Sequence, residues 1–321
     1  MNGRRQLFWF ALIHPLVDAC SVSVLVAGGM TWWRAVAYNA IAFAMQLPLG
    51  VALDFMRPAD AAKCFWLGTC AVSAAAFAAA FGFAGWGTLC VACLGNALFH
   101  LVAGKRLLES GGGRSGPMGF FISTGALGLM AGQVWAARAA SICLPVFAVV
   151  LVACLIACRA AQMVEVVAKP AGARWDTAPS CRICGECASV STVLGGILVL
   201  MGLFALIAWR SWAALAAMDL TMSSGVGFAA AGAVAAWGGK AAGGYLAEWL
   251  GRWRVTAASV CGSAALAFFC SPDSAAAWMA LLFVSQLATG PVVSLVYDRT
   301  RRIGGGTAFG LNCLGLFAGS V

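Results

Sequence analysis

Three ionisable side chains inside apolar blocks are the residues of this chain best suited to reversible proton binding. His14 and Asp18 are four residues apart, so they share one face of a helix. A carboxylate near the centre of a membrane helix costs about 2.5–3.5 kcal/mol, and such a cost indicates a partner or a pathway. Imidazole titrates near neutral pH, as proton coupling requires. His100 lies in another apolar block and is the third candidate. The alternative interpretation is a structural polar clamp between helices.

Further polar residues are candidates for the same site. Arg210 is either an outer-loop cation or, if its apolar block covers 194–218, an intramembrane cation that faces Asp18 or an anionic substrate. Lys240 is expected to extend to the membrane interface, as long cationic side chains do near helix ends. Asn96 and Gln286 are amides within apolar blocks, where they contact either substrate or a neighbouring helix.

A cysteine cluster lies in the longest polar segment, at Cys181, Cys184 and Cys187. Three thiolates at this spacing can ligate zinc or part of an iron–sulfur cluster. A fourth ligand is missing nearby, and most of the 14 cysteines lie in apolar blocks, where Cys is simply a small apolar residue. We therefore favour a compositional explanation and expect neither a metal nor another cofactor.

Apolar blocks of membrane-spanning length must position these side chains. About 20 helical residues cross a hydrocarbon core of ~30 Å, and the chain is 62% apolar and only 10% charged. Short alternating strands, which a membrane barrel requires, are absent from the sequence pattern. The sequence therefore predicts an all-α integral membrane protein with about 11 spans, near 6–28, 34–54, 62–83, 85–104, 117–137, 141–162, 194–218, 224–246, 254–271, 276–297 and 304–321.

The basic residues predict how these spans are oriented. All but three of the 20 Lys and Arg lie in every second gap between blocks, the exceptions being Arg34, Arg138 and Arg210. Excess Lys and Arg mark the cytoplasmic side, so the N-terminus is predicted to be inside. The net charge of +9 then reports topology and attraction to anionic lipid rather than nucleic acid. In this topology His14 and His100 lie roughly 12 and 8 Å from the cytoplasmic surface, at similar depth.

An internal repeat divides the chain. GVALDF (50–55) is repeated as GYLAEW (244–249), and GPMGFFISTG (116–125) as GTAFGLNCLG (306–315), at nearly constant offset. Such an offset after six spans is typical of a parallel repeat about an axis along the membrane normal, although Gly-rich sequences also match by chance. The predicted units are a six-helix bundle at 1–163, a cytoplasmic loop at 164–190 and a second bundle at 191–321.

This arrangement resembles that of major facilitator superfamily transporters. GYLAEWLGRWR (244–254) is similar to the signature that follows the second helix of each half in that superfamily: a Gly, an acid, then Gly-Arg and more basic residues. The first-half copy is degraded, because Pro58 stands where further basic residues are expected. The resemblance implies two pseudo-repeated bundles and a conformational latch that comprises Gly50, Asp54, Arg57, Gly244, Glu248, Gly251 and Arg252.

A closer resemblance is to the fosmidomycin resistance protein family of drug efflux transporters. HPLVD (14–18), GNALFH (95–100), SGGGRSG (110–116), WRSW (209–212) and GGGTAFGLN (304–312) are similar to motifs of that family, in the same order. Two features depart from the family pattern. Leu101 and Val102 replace the Pro-Glu that follows the fourth-helix histidine, and the eleventh block stops at Val321, so we expect a truncated chain that lacks the twelfth helix.

These observations predict a monomeric, proton-coupled secondary transporter of the inner membrane that exports small amphipathic or drug-like molecules. Its partners would be protons, the small-molecule substrate and the lipid bilayer. Uptake or export of a sugar or an organic anion is an alternative, as is a truncated paralogue or sensor without transport. The phosphate-binding loops, nucleophile triads and zincin motifs of enzymes are missing from the sequence, so an enzyme is not expected. The predicted proton and substrate cavity comprises His14, Asp18, Asn96, His100, Arg210 and Gln286.

Overall fold

The computed structural model describes residues 3–161, 190–223, 225–269 and 274–320. This part of the chain consists of helices joined by short turns and contains no strand. The predicted all-α fold is therefore confirmed. The cysteines Cys181, Cys184 and Cys187, and the predicted loop around them, lie outside the described residues.

The helices fall into two groups along the chain, one before and one after residues 162–189. The first half comprises α1 (Gly3–Ala27), α2 (Trp32–Asn39), a π-helical turn (Ala40–Ala44), α3 (Gln46–Phe55), α4 (Pro58–Ala80), α5 (Trp86–Ser110) and α6 (Ser115–Ala160). The second half comprises α7 (Val190–Ser223), α8 (Val226–Leu250), α9 (Arg252–Phe269), α10 (Ala275–Gln286), α11 (Thr289–Thr300) and α12 (Gly305–Ala318). We call the end of the bundle at which α1 begins the near end, and the opposite end the far end.

Seven helical segments within the described residues are long and apolar enough to cross a membrane: Gly3–Ala27, Trp32–Phe55, Pro58–Ala80, Trp86–Ser110, Ser115–Ala160, Gly195–Ala213 and Ala275–Thr300. The segment Ser115–Ala160 is 46 residues long, or about 69 Å at helical rise, which is enough for two crossings. It bends at Ala139, whose backbone is not helical (φ −153°, ψ 57°). This bend falls between the predicted spans 117–137 and 141–162.

Two spans are interrupted where their side chains face the centre of the bundle. The second span contains the π-helical turn, after which Gln46 donates a hydrogen bond from its side chain to the carbonyl of Ala42 (2.6 Å). The tenth span is broken between α10 and α11, so that Gln286 and Thr289 flank the break. Such interruptions are typical of membrane helices that line a cavity, because the freed backbone groups find other partners there.

Helix α6 packs closely against α1 through a row of glycines, Gly125, Gly128 and Gly132. A methyl group built on Gly128 would lie 2.6 Å from the Cα of Pro15, and one on Gly132 would lie 2.6 Å from the carbonyl oxygen of Ala19. Small residues at such positions let two membrane helices approach until their backbones touch. This contact fixes the face of α1 that carries His14 and Asp18.

Replacing Gly128 by Leu is expected to separate α1 from α6 and to destabilise the protein by roughly 1–3 kcal/mol, the usual cost of overpacking. The measurement is the midpoint of thermal unfolding of the detergent-solubilised protein. Gly87→Leu is the matched control, because nothing lies within 4 Å of a methyl group built on that helical glycine. Equal midpoints for the two variants would contradict the close contact.

Candidate functional site

A cavity of about 290 Å³ lies between the two halves of the molecule. It reaches Met30 and Ser320 at the far end, where the Met30 side chain is 54% exposed. Most of its wall is apolar. The charged and amide side chains among the lining residues are His14, Asp18, Asn39, His100, Gln133, Arg210, Lys240, Gln286 and Asn312.

His14, Asp18 and His100 form one buried cluster at the inner end of this cavity. The Nε2 atom of His14 lies 3.1 Å from Oδ2 of Asp18, and Nε2 of His100 lies 3.6 Å from Oδ1 of the same carboxylate. The two Nε2 atoms are 2.6 Å apart. The structure thus brings together the three side chains that the sequence analysis selected, across α1 and α5.

Backbone carbonyls determine the tautomers of both histidines. Nδ1 of His14 lies 2.7 Å from the carbonyl oxygen of Phe121, and Nδ1 of His100 lies 2.9 Å from that of Asn96. A carbonyl oxygen only accepts, so each Nδ1 must carry a proton and donate it. Each neutral imidazole then presents the lone pair of Nε2 to the other ring and to the carboxylate. Three acceptors therefore converge, and one additional proton satisfies them.

Groups behind the cluster hold it in this geometry. Asn96 donates from Nδ2 to Asp18 (3.0 Å) and contacts Ser21 (3.2 Å), so it supports the carboxylate from behind rather than lining the cavity. The ring of Phe121 stacks on His14 with centroids 4.6 Å apart. A methyl group on Gly125 would lie 2.6 Å from Nε2 of His14, so only glycine leaves room there.

The same three side chains have ligand atoms within 4.8 Å of one another, which is a spacing that a metal ion could also use. The distances favour a proton. Two nitrogens bound at 2.0–2.1 Å to one tetrahedral zinc would lie about 3.3 Å apart, whereas the two Nε2 atoms are 2.6 Å apart. The observed separation is that of two nitrogens sharing one hydrogen.

Arg210 is buried inside the bundle on α7, where its side chain is 2% exposed. Its guanidinium donates to Thr289 Oγ1 (2.6 Å), to Asn312 Oδ1 (3.3 Å) and to Gln286 Oε1 (3.4 Å). All three partners are neutral. Of the two positions that the sequence left open for Arg210, its burial excludes an exposed loop, and the intramembrane position remains a prediction. Asn312 and Thr289 were not predicted as site residues, although a polar residue inside an apolar block is itself a signal.

Lys240 lines the cavity, so the prediction that it extends to the interface is wrong. It lies ten residues before the end of α8, or about 15 Å along the axis, which is too far for its side chain to reach the interface at that end. Glycines fix the rotation of α8: methyl groups on Gly239 and Gly243 would overlap the carbonyls of Phe283 and Leu287 on the adjacent span. With that face occupied, Lys240 faces the cavity.

A second group of contacts closes the near end of the bundle. Asp54, at the end of α3, accepts hydrogen bonds from the backbone N–H of Gly306 (2.9 Å) and of Thr307 (2.7 Å), and from the Thr307 hydroxyl (2.8 Å). Lys105 pairs with the same carboxylate. Asp54 therefore caps the start of α12, where the unpaired N–H groups and the helix dipole favour an anion.

Glu248 makes the corresponding contact with the other half. It accepts a hydrogen bond from the backbone N–H of Gly116 (2.9 Å) at the start of α6. It also pairs with Arg114, and the hydrogen bond from Arg114 to Glu248 raises the pKa of Arg114. The acid of each half therefore caps a helix of the opposite half. The glycines beside the acids are packed just as closely, because a methyl group on Gly50 would overlap the carbonyl of Gly306, and one on Gly244 that of Ser115.

The other three predicted latch residues differ in position. Gly251 ends α8 with φ 93°, a conformation that favours glycine. Arg252 pairs with Asp298 within its own half and donates to the carbonyl of Gly113 in the other half (2.8 Å). Arg57 lies apart: its side chain is 84% exposed and pairs with Asp60 (2.9 Å). Because α4 begins at the next residue, Arg57 is extended and turned away from Asp54.

Comparisons with known proteins identify the fold. No protein-family profile matches the chain, and no curated protein was found to match it. The human organic anion transporter MFSD10 (TETRAN) has a similar structure, with 14% identity over 99% of this chain and 92% of that chain and a TM-score of 0.67. The Major Facilitator Superfamily transporter FucP, in the outward conformation, has 16% identity over 97% of this chain and 89% of that chain, with a TM-score of 0.58.

A third similar structure is a bacterial homologue of the iron transporter ferroportin in an outward-facing state, with 17% identity over 100% of this chain and 90% of that chain and a TM-score of 0.53. At these identities the similarity establishes the fold. The chain is a multi-pass membrane protein with the major facilitator fold, as the sequence predicts. The closer resemblance to the fosmidomycin resistance family remains a prediction.

Proposed function

We propose that this protein is a proton-coupled secondary transporter in which His14, Asp18 and His100 bind the coupling proton. The observation that carries the proposal is the convergence of two Nε2 lone pairs and a carboxylate on the wall of a cavity between two helix bundles. Similar structures belong to transporters and not to enzymes, which supports this class of function. Alternating access of the two bundles around the cavity would move the substrate.

The proposed cycle uses both groups of contacts. In the described conformation the cavity reaches the far end, while Asp54 and Glu248 join the halves at the near end. With the predicted topology this is an outward-facing state. Breaking the near-end contacts would expose the cluster to the cytoplasm. The balance between desolvation and mutual attraction of the three groups then changes, so the proton is released on that side.

The direction and substrate follow from the resemblance and from the cavity wall. Resemblance to efflux transporters implies export of the substrate in exchange for protons. Apolar side chains such as Leu25, Phe43, Leu129 and Leu316 line the wall, which suits a small amphipathic molecule. The proposed partners are therefore the lipid bilayer, protons and a small-molecule substrate.

The test is transport by the purified protein in vesicles that enclose a pH-sensitive dye. A panel of small amphipathic molecules is added under an imposed pH gradient, and we expect at least one of them to move protons across the membrane. Vesicles without protein, and vesicles treated with a protonophore, are the controls. If ligands bind but none is transported or exchanged, the alternative of a non-transporting paralogue is correct.

The predicted topology has its own test. A membrane-impermeant thiol reagent applied to intact cells is expected to miss Cys181, Cys184 and Cys187, because the basic central loop is predicted to be cytoplasmic. The same reagent should label these cysteines once the cells are permeabilised. Strong labelling of the three in intact cells would overturn the predicted orientation.

A further inference from the structure

The guanidinium of Arg210 is a buried positive charge without a carboxylate partner among the described residues. Its three acceptors are the neutral oxygens of Gln286, Thr289 and Asn312. Its Nε atom is buried and has no hydrogen-bond partner in the described part of the chain. A buried cation is tolerated at a membrane site when it serves a ligand or a pathway. The unpaired Nε and the missing negative charge both indicate an anionic ligand.

Lys240 adds a second positive charge to the same cavity wall. Within the described residues it makes no ion pair or hydrogen bond, and it interacts electrostatically with Arg210 and Asp18. Asp18 is the acid among the described lining residues of this cavity, and it is already engaged by two histidines and Asn96. The cavity therefore holds two cations against one carboxylate, and a proton on the histidines increases the excess.

We propose that the cavity binds a small organic anion whose charged group lies between Arg210 and Lys240. The proposal rests on the proposed transport function and specifies its substrate class. A carboxylate would accept from the Arg210 guanidinium and from the Lys240 ammonium, and so supply the missing negative charge. The two cations lie on α7 and α8, both in the second half, while the proton cluster lies on α1 and α5 in the first. Anion and proton thus occupy facing walls of one cavity.

The rest of the wall determines what the anion carries. Most of the remaining lining is apolar and includes Phe309, Leu316 and Ile122. A volume of about 290 Å³ accommodates one or two rings. The ligand class is therefore an amphipathic organic anion with an aromatic or aliphatic body. An inorganic anion would leave that apolar surface wet, and a neutral or cationic analogue would leave the guanidinium unpaired.

The test compares ligands of equal shape and different charge. Benzoate, benzamide and benzylammonium, and the corresponding naphthalene series, are titrated against purified protein in nanodiscs, with binding followed by calorimetry. We expect the anion of at least one series to bind about 10- to 100-fold more tightly than the amide, as charge-assisted hydrogen bonds do. Equal affinity for the amide, tighter binding of the ammonium, or no anion binding in either series would overturn the proposal.

Variants then locate the site. Arg210→Gln and Lys240→Gln are each expected to lower the anion affinity about tenfold or more, and Arg210→Lys to retain the preference for the anion. If Arg210→Gln does not fold, Lys240→Glu is the second test, because it leaves the hydrogen bonds of Arg210 intact. We expect Lys240→Glu to reverse the ligand preference, so that the ammonium binds more tightly than the anion. Arg34→Gln is the matched control, because Arg34 is also buried but bonds the carbonyl of Ala84 and does not line the cavity.

Failure of this proposal and failure of the transport function give different results. Binding is measured at equilibrium without a membrane gradient, so an anion that binds but never moves protons in vesicles would refute only the transport function. Transport of neutral molecules with no anion binding would refute only the anion site. Unchanged anion affinity in both Arg210→Gln and Lys240→Gln would also refute it.

Discussion

Replacing Asp18 by Asn is expected to abolish transport driven by a pH gradient while substrate binding and gradient-independent exchange persist. The amide removes the negative charge that attracts a proton, and its Nδ2 can donate to Nε2 of His14, which lies 3.1 Å from the carboxylate. The histidine lone pair is then satisfied without the additional proton. Loss of one charge-assisted hydrogen bond, about 1.5–3 kcal/mol, corresponds to roughly 10- to 100-fold lower proton occupancy.

The measurement is substrate-dependent proton flux in vesicles, compared with counterflow of the same substrate at equal pH on both sides. Ser23→Ala is the matched control: Ser23 is a buried polar residue on the same helix, bonded to the carbonyl of Gly132 and remote from the cluster. Unimpaired proton-driven transport by Asp18→Asn would show that this carboxylate is not the coupling group. Failure of the variant to accumulate in the membrane would favour the structural clamp.

The histidine cluster shows which features of the site can be predicted from the spacing of residues in the sequence. The interval between His14 and Asp18 predicts a shared helix face, and similar depth predicts that His100 is near. Neither reveals the tautomers, because these depend on the carbonyls of Phe121 and Asn96, which α6 and α5 bring close. The arrangement that the proposed proton binding requires is thus a property of tertiary packing.

Lys240 and Arg57 show where prediction from single helices fails. A lysine in an apolar span is expected to extend to the interface, but glycine contacts set the rotation of α8 and direct Lys240 to the cavity. The signature motif places Asp54 and Arg57 close together in sequence, but in the structure the two side chains do not pair. The carboxylate of Asp54 pairs instead with Lys105 of α5. Repeats and charge patterns predict the fold because each of them draws on many residues. The contact partner of a single side chain depends on how its helix is rotated and which helices pack against it.

Asp54→Asn is expected to open the near end of the bundle. The Asp54 side chain is 1% exposed, accepts three hydrogen bonds from the start of α12 and pairs with Lys105. An amide loses the charge and one acceptor, and it leaves the Lys105 ammonium with Glu109, 2.8 Å away, as its remaining partner. Loss of a charge-assisted hydrogen bond costs about 1.5–3 kcal/mol, which corresponds to a shift of roughly 10- to 100-fold in the equilibrium between closed and open near ends.

Hydrogen exchange of the purified protein measures this opening directly, because the N–H groups of Gly306 and Thr307 are the donors to Asp54. Peptides that cover the start of α12 should exchange roughly 10- to 100-fold faster in Asp54→Asn, in proportion to the opened population. Asp60→Asn is the matched control, since that acid lies at the same end but pairs only with the exposed side chains of Arg57 and Lys63. Parental exchange in Asp54→Asn, or equal acceleration in the control, would contradict the latch.

Glu248→Gln tests whether the contact of Glu248 with α6 and the contact of Asp54 with α12 open together or separately. Its side chain is 20% exposed and its partner Arg114 is 65% exposed, so water screens the pair and replaces part of what is lost. Its effect should therefore appear first at the start of α6, where Gly116 donates to Glu248, and should be smaller than that of Asp54→Asn. If the two acids act on one rigid-body opening, each variant must also accelerate exchange at the helix start that the other acid caps. Acceleration confined to the local helix would mean that each acid stabilises only its own helix end.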